Sequence, residues 1–515
     1  MGRRRKETRR RPSRLRKPLE ERLGRLANKA GSERLRGLRR DAVGCLVEGL
    51  RAIDPGQAVE EALRFERGAL TVRGRRFRLE DRTIHLLSIG KAAVPMAKAV
   101  LRTLPVASGI LVSDRSPIGV PPNRVRWFRG SHPLPSQGSL AAGNAALRLV
   151  DGLGPGDLLI VLVSGGASAM FEASALSLRD LREAYAVLLR SGLPIRAINQ
   201  VRKGLSKVKG GRLAARAAAH GAIVLGLIVS DIVGNPIEDI GSGPTAIDSS
   251  RGAGAMQVLR TDGLWDEMPA AVRRMLESRP AEPDLDRAAR TRVHNTIVAD
   301  LSRACRGAMK EARRLGYRAR LLSTSVEGEA RKVGPRLAAK ALEWAPDASA
   351  IGVVAGGETT VRVVGGGRGG RNQELALAAA PAIEGRHAVL LSCGTDGIDG
   401  NTEAAGAIVD GDTMARARTL RLDPTDFLRE NNSYAFFQAL GDLIVTGPTG
   451  TNVADLLILL ARRRDRRGRG PPSRSGRRPE RQKLDEVPAQ GHLLEDCGCI
   501  AETALRGPRD LSRIA

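Results

Sequence analysis

The hydrophobic pattern alternates between two kinds of segment. Short, continuous apolar runs end in glycine-rich turns, and the turns open longer stretches with helical spacing. His85-Leu86-Leu87-Ser88-Ile89 leads into Gly90-Lys91 and a helical pattern from Ala92 to Leu104. Leu158 to Val163 leads into Ser164-Gly165-Gly166, and Ala222 to Val229 leads into Ser230-Asp231. Runs that are apolar on both faces and alternate with helices predict a parallel sheet covered on each side. Such sheets bind ligands at the carboxyl ends of their strands, where these turns lie.

The second half repeats the style. Ile351 to Ala355 leads to Gly356-Gly357-Glu358-Thr359, and the run from Thr359 to Val364 reads as β-rich. His387 to Ser392 leads to Gly394-Thr395-Asp396-Gly397-Ile398-Asp399-Gly400. Leu443-Ile444-Val445 leads to the turn Thr446 to Asn452, after which the pattern predicts a helix from Val453. The stretch Glu277 to Asp286 holds two prolines and several charges and reads as a domain boundary. No unit repeats at a fixed period, which argues against a solenoid. The predicted organisation is a disordered or weakly helical basic arm (1–40), two α/β domains with mainly parallel sheets (41–285 and 286–461), and a low-complexity basic tail (462–515). Arg/Pro/Gly-rich sequence of the kind that opens the tail buries no core.

Charge changes this picture less than its total suggests. The 515 residues carry a net charge of +28, which invites a nucleic-acid reading. Residues 1–40 hold 17 Lys/Arg against 4 Asp/Glu, and residues 462–515 hold 14 against 8. The body between them is close to balanced, so no nucleic-acid partner is expected. Aromatics make up 3% of the chain, so the cores must rest on Ala, Leu and Val. The five cysteines are scattered, which suits a reducing compartment. Cys497-Gly498-Cys499 is a weak metal or redox motif, with only His492 near it. No apolar run approaches the ~18 residues of a membrane span. The basic N-terminus lacks the apolar stretch of a secretory signal, and it is Arg-rich but poor in hydroxyls for a transit peptide. A cytoplasmic protein, monomeric or homodimeric, is expected.

Several turns suit anions. Gly365-Gly366-Gly367-Arg368-Gly369-Gly370-Arg371-Asn372-Gln373-Glu374 offers backbone N–H groups without Cβ obstruction, two arginines and a helix N-terminus. It is not a Walker A loop, which requires G-x-x-x-x-G-K-[ST]. Gly447-Pro448-Thr449-Gly450-Thr451-Asn452 is a second candidate phosphate turn. Lys91 reads either as an anion contact or as a solvated lysine at a helix start. Ser164-Gly165-Gly166 suits a carboxylate or phosphate; G-x-S-x-G is absent, which argues against a nucleophile elbow. The run from Asn199 through Arg202, Lys203 and Lys209 to Arg212 reads as an anion site or a solvated basic face. Asp231 at a strand end reads as a Mg²⁺ ligand, a proton acceptor or a loop cap. Asp396 and Asp399 lie in a turn that resembles a cation loop without a full EF-hand ligand set. Together these turns point to phosphoryl transfer, which depends on positioning and charge neutralisation.

These motifs, in order, resemble the glycerate 2-kinase family. Gly90-Lys91-Ala92-Ala93, His132-Pro133-Leu134-Pro135, Ser164-Gly165-Gly166, Asn199 to Lys203, Ser206 to Leu213, Ser230-Asp231 and Ser242-Gly243-Pro244-Thr245 resemble its Rossmann-like N-terminal domain. Gly357-Glu358-Thr359-Thr360, Gly369 to Glu374, Thr395 to Gly400, Ala404-Ala405-Gly406-Ala407 and Thr446 to Val453 are similar to its MOFRL domain. The resemblance covers about residues 41–461. It implies Mg²⁺- and ATP-dependent phosphorylation of D-glycerate at its 2-hydroxyl, in a cleft between two α/β domains. It implies Lys91, Asp231 and Arg371 as catalytic residues. Ser164, Gly165, Gly166 and Arg202 are then the expected glycerate contacts. Gly367, Gly369, Gly370, Asn372, Thr446, Gly447, Thr449, Gly450 and Asn452 are the expected ATP contacts, with Asp231 and Asp396 on the metal. Two positions depart from the family: Ser136 and Asn235 stand where an aspartate is usual. Relatives normally end near Leu460, so the tail beyond 461 has no counterpart and, like the basic arm, reads as an artefact of gene boundaries or, alternatively, as a tether for nucleic acid or another polyanion. The rival activity, hydroxypyruvate reductase, needs a G-x-G-x-x-G dinucleotide turn after a strand, a spacing that Gly365 to Gly370 meets numerically, with Glu384 as an acidic residue further on.

Overall fold

A computed structural model of the chain describes residues 16–29, 31–246, 254–278, 287–343 and 350–462. Cys497, Cys499, the tail beyond 462, and most of the boundary expected at 277–286 lie outside the described residues.

Three sheets organise the fold. A small antiparallel sheet contains β1 (Leu63–Glu66), β2 (Ala69–Val72) and β3 (Arg75–Arg78). The first large sheet contains β4 (Thr83–Ile89), β5 (Val106–Ser113), β6 (Val125–Arg129), β7 (Asp157–Val163), β8 (Ile223–Val229) and β9 (Val293–Ala299). Its spatial order is β6-β5-β4-β7-β8-β9, and every pairing is parallel. This is the doubly wound Rossmann order, and the direction of winding reverses between β4 and β7. The apolar runs read from the sequence are these strands. Leu158, Ile160 and Leu162 pack on one face, and Leu159, Val161 and Val163 pack on the other.

The second large sheet departs from the parallel expectation. It contains β10 (Arg318–Leu321), β11 (Ala350–Gly357), β12 (Ala388–Gly394), β13 (Gly406–Asp410), β14 (Leu443–Ile444) and β15 (Asp455–Arg462), in the order β10-β11-β15-β12-β13-β14. Only β10 and β11 pair in parallel; the other four pairings are antiparallel. The reason lies in β15, where the sequence suggested a helix from Val453. Leu456, Ile458 and Leu460 face one core while Leu457, Leu459 and Ala461 face another. A short run that is apolar at every position suits a strand buried on both faces, and periodicity alone cannot distinguish that from a buried helix. The segment Val361–Val364 is not in the sheet either: Val363 and Val364 are 75% and 62% exposed.

Two expected boundaries also move. β9 lies beyond residue 285 yet pairs with β8, so the first sheet extends past the expected junction. The basic arm is helical where it is described, at Arg16–Ala27 and Glu33–Ala52. Leu19, Leu23, Leu26, Leu35 and Leu38 are buried in the core that also holds Leu456 and Ile458. The arm therefore packs on the second sheet, together with the helix Leu301–Arg314. Among the described residues no helix is long and apolar enough to cross a membrane.

Candidate active site

The turns after β4, β7 and β8 meet at the reversal point of the first sheet. Gly90 follows β4 with φ +111°, and a Cβ there would lie 2.5 Å from the Ser164 carbonyl oxygen, so only glycine permits this approach. The Lys91 N–H donates to the Gly165 carbonyl at 3.0 Å, and the Ala92 N–H donates to Ser164 Oγ at 3.1 Å. Ser164 thereby fixes the β4 turn to the β7 turn. On the other side, a Cβ at Gly165 would lie 2.5 Å from Asp231 Oδ2. A Cβ at Gly166 would lie 3.3 Å from Lys91 Cγ and 3.6 Å from His132 Cδ2. Lys91, Ser164, Gly165, Gly166 and Asp231, each named from sequence, are thus brought together, and His132 joins them. His132 was visible only as part of the His-Pro-Leu-Pro motif.

The basic run at 199–212 is neither solvated nor uniform. Lys209 is fully buried, and its Nζ donates to Glu172 Oε2 at 2.5 Å. The Tyr185 hydroxyl donates to the same carboxylate oxygen at 2.7 Å. The Arg202 guanidinium stacks over the Tyr185 ring at 4.7 Å. Lys209 and Glu172 therefore fix the platform on which Arg202 rests. Arg202 is only 6% exposed, and its Nε has no hydrogen-bond partner. Among the described residues no ion pair reaches its guanidinium. An unpaired buried cation is costly unless an anion completes it. Burial, Lys91 and Arg202 hold the His132 imidazole below its usual range, against the opposing effect of Asp114.

The second sheet supplies the facing wall. β11 and β12 both pair with β15, which places Asp455 opposite Gly357 and Gly394. Glu358 follows Gly357 at this edge. Arg371 opens the helix Arg371–Ala379 and donates from Nε and Nη2 to the two Asp455 oxygens at 2.6 and 3.1 Å. Its Nη1 donates to Glu358 Oε1 at 2.9 Å. Burial disfavours the Arg371 charge, but the Asp455, Glu358 and Asp399 carboxylates outweigh it and raise the pKa. Burial also pushes the Asp231 carboxyl up to about 6; nearby Glu358 adds to that rise and Lys91 opposes it. The charge of Glu358, from the second sheet, is thus felt at Asp231 on the first, and Arg371 holds Glu358.

The glycine-rich loop is not the open anion cradle its sequence suggests. The N–H groups of Val364 and Gly365 donate to Asn431 Oδ1, Gly367 to the Glu430 carbonyl, Arg368 to Asn432 Oδ1 and Gly369 to Asn401 Oδ1. Its glycines serve close packing: a Cβ at Gly367 would lie 2.4 Å from Asn432 Cβ, and one at Gly370 would lie 2.3 Å from the Asp399 carboxyl carbon. The helix N-terminus already holds an anion, because the Asn372 and Gln373 N–H groups donate to the Asp399 carboxylate. Asn372 is spent on Asp399, Asp455 and Ser392. Gly367, Gly369 and Asn372 therefore act inside the fold rather than as free phosphate donors.

The turn at 446–452 behaves differently. It rests on the loop after β12: the Thr449 N–H donates to the Asp396 carbonyl at 3.2 Å and Thr449 Oγ1 donates to the Thr395 carbonyl at 2.6 Å. Among the described residues, the N–H groups of Gly447, Gly450 and Asn452 have no intramolecular partner. The Thr451 hydroxyl is buried and also lacks one. Asp396 accepts from the Ile398 N–H at 3.0 Å.

Comparison with known proteins agrees with this architecture. Residues 41–277 match the model of a domain of unknown function, DUF4147, and residues 351–455 match the MOFRL family. A glycerate 2-kinase from Pyrococcus horikoshii is 37% identical over 423 residues, covering 80% of this chain and 95% of that protein. A D-glycerate 2-kinase from Thermotoga maritima is 36% identical over 430 residues, covering 82% and 98%. A crystal structure of glycerate kinase from Thermotoga maritima superposes with a TM-score of 0.72 at 34% identity, covering 82% of this chain and 99% of that one. The chain belongs to the glycerate kinase family with a MOFRL domain.

Proposed function

We propose that the chain is an ATP-dependent D-glycerate 2-kinase, moving the γ-phosphoryl group of ATP to the 2-hydroxyl of D-glycerate. The observation that carries this reading is Arg202: a buried, unpaired guanidinium beside the strand-end cluster suits a small carboxylate. Ser164, Gly165 and Gly166, in the turn beside Lys91 and His132, are assigned to the same carboxylate. Asp231 accepts the hydroxyl proton, Lys91 offsets charge on the transferred group, and the 446–452 turn holds the phosphates. Neutral His132 lines the same space as a hydrogen-bonding group. Arg371 acts from the facing wall through Glu358, which it holds toward Asp231.

Mg²⁺ fits the residues present. Among the described residues no group of three or more His, Cys, Asp or Glu side chains is gathered as a metal cage. Mg²⁺ delivered with ATP requires only one or two carboxylates besides phosphate and water. Asp231 and Glu358, whose charge is felt at Asp231, would be the carboxylates to hold it. When bound there, the ion would neutralise phosphate charge. Asp396, the other expected ligand, sits in the loop that carries the 446–452 turn.

A coupled assay with enolase tests the reading, because enolase consumes 2-phosphoglycerate and not 3-phosphoglycerate. Signal with D-glycerate and ATP is expected; ADP release without enolase turnover would exclude 2-phosphorylation. The reductase alternative is disfavoured by the glycine loop, which does not follow a strand and whose N–H groups are largely engaged. The proton acceptor gives a second expectation. Asp231 must be ionised, and its carboxyl is raised to about 6. The value of kcat/KM should therefore fall about tenfold per pH unit as pH drops below 6, and plateau above 7. A profile flat from pH 5 to 8 excludes Asp231 as the base.

A further inference from the structure

The helix Arg16–Ala27 lies outside both family matches, yet one of its side chains reaches the turn at 446–452. Arg22 Nη1 donates to the Thr446 carbonyl at 2.9 Å, and a Cβ at Gly447 would lie 3.0 Å from the same nitrogen. The helix is held firmly: Leu19, Leu23 and Leu26 are in the core, and Arg39 Nη1 donates to the Leu26 carbonyl at 3.2 Å.

The turn is anchored at three points. Arg22 holds its start, the Thr446 hydroxyl donates to the Gly447 carbonyl at 2.8 Å, and Thr449 is fixed on the Thr395–Asp396 segment. Between these anchors the chain is left open. Gly450 has φ +79° and nothing within 4 Å of the position a Cβ would take. The N–H groups of Gly447 and Gly450 are free among the described residues, and Thr451, only 7% exposed, carries an unpartnered hydroxyl. Unsatisfied donors around a tip with open space suit the oxygens of a polyphosphate. The remaining N–H groups of Arg22 have no partner among the described residues, so its positive charge stays beside that tip.

We infer that Arg22 is a positioning residue of the phosphate turn: by fixing the Thr446 carbonyl it sets the direction in which the Gly447 and Gly450 N–H groups point, and its charge favours the nucleoside triphosphate there. The N-terminal helix is then part of the nucleotide site rather than a dispensable extension. This rests on the proposed role of the 446–452 turn.

The test uses the full chain with Arg22→Ala, Arg22→Lys and Thr451→Val, measuring ATP affinity by calorimetry and KM and kcat by the coupled assay. In Arg22→Ala the Kd and KM for ATP should rise about tenfold, with kcat and the KM for glycerate changing less than about twofold. Lysine should restore only part of the affinity, since it supplies charge without the planar fork. A melting temperature close to wild type is expected, because Arg22 is exposed. Thr451→Val should weaken ATP binding while leaving the fold at least as stable, because it removes a buried unpaired hydroxyl. If Thr451→Val weakens ATP binding and Arg22→Ala does not, the role of Arg22 is refuted and the turn survives. If neither variant affects ATP binding, the turn is not the phosphate site and the inference falls with it. A fall in kcat at unchanged KM in Arg22→Ala would also overturn it.

Discussion

Arg371→Ala should lower kcat by about 10²-fold or more under saturating ATP and glycerate. The argument differs from that for a simple phosphate contact. Both oxygens of Asp455 and one of Glu358 are held by this one guanidinium. Removing it releases Glu358 and leaves Asp455 nearly buried, near the Asp399 carboxylate, with the Asn372 amide as its only hydrogen-bond partner among the described residues. The facing wall thus loses both its geometry and its charge balance. Arg371→Lys should rescue poorly, because an ammonium cannot reproduce a bidentate grip on one carboxylate while also holding a second. Steady-state kinetics and a thermal melt decide the matter together. A near-wild-type kcat with a lowered melting temperature would make Arg371 purely structural. A near-wild-type kcat and unchanged melt would remove it from both accounts.

The first sheet was legible in the sequence because the strands in its centre are apolar on both faces and end in a glycine or serine–aspartate turn. The site at its reversal point was legible for the same reason: Lys91, Ser164 and Asp231 each stand one or two residues after a strand. The second sheet was less legible. Its central strand, Asp455–Arg462, gives no alternation, because it is covered on both sides, and only pairing with β11 and β12 fixes it as a strand. The glycine loop misled for a physical reason. Glycine permits close approach to a ligand and close approach to the chain itself, and the composition of the loop does not say which. Its neighbours at 430–433 lie about sixty residues away, beyond any local pattern.

Arg202 shows a related limit. Its run contains several basic residues of similar appearance. Which of them is left unpaired depends on Glu172 and Asp239, which neutralise Lys209 and pair with Lys203 from distant segments. The N-terminal arm, by contrast, carried a usable signal. Leu19, Leu23 and Leu26, then Leu35, Leu38, Ala42 and Leu46, recur at helical spacing beneath the charge. Net charge described the exposed face of these helices and hid the buried one.

That arm leads to the largest stability effect. Arg39→Ala should destabilise the protein by about 3–5 kcal/mol, measured by denaturant or thermal unfolding. Arg39 precedes the first family match, yet it is fully buried in the C-terminal lobe. Its Nη1 and Nη2 donate to the two Asp442 oxygens at 2.7 and 3.2 Å, and its Nε donates to Asp410. Asp410 and Asp442 are themselves fully buried, and among the described residues the only other cation beside them is Arg416, 2.6 Å from Asp442 but 3.9 Å from Asp410. Burial opposes the Arg39 charge and the two carboxylates more than compensate, so the guanidinium stays ionised. Truncating it leaves Asp410 without a close cation in the core, which is why the expected loss exceeds that of an ordinary surface pair. The combined variant Arg39→Met, Asp410→Asn, Asp442→Asn should recover part of the lost stability, because it removes the stranded charges along with their partner. If Arg39→Ala unfolds within about 0.5 kcal/mol of wild type, the N-terminal helices are an accessory rather than a structural part of the second lobe, and the reading of residues 1–40 as a dispensable arm returns.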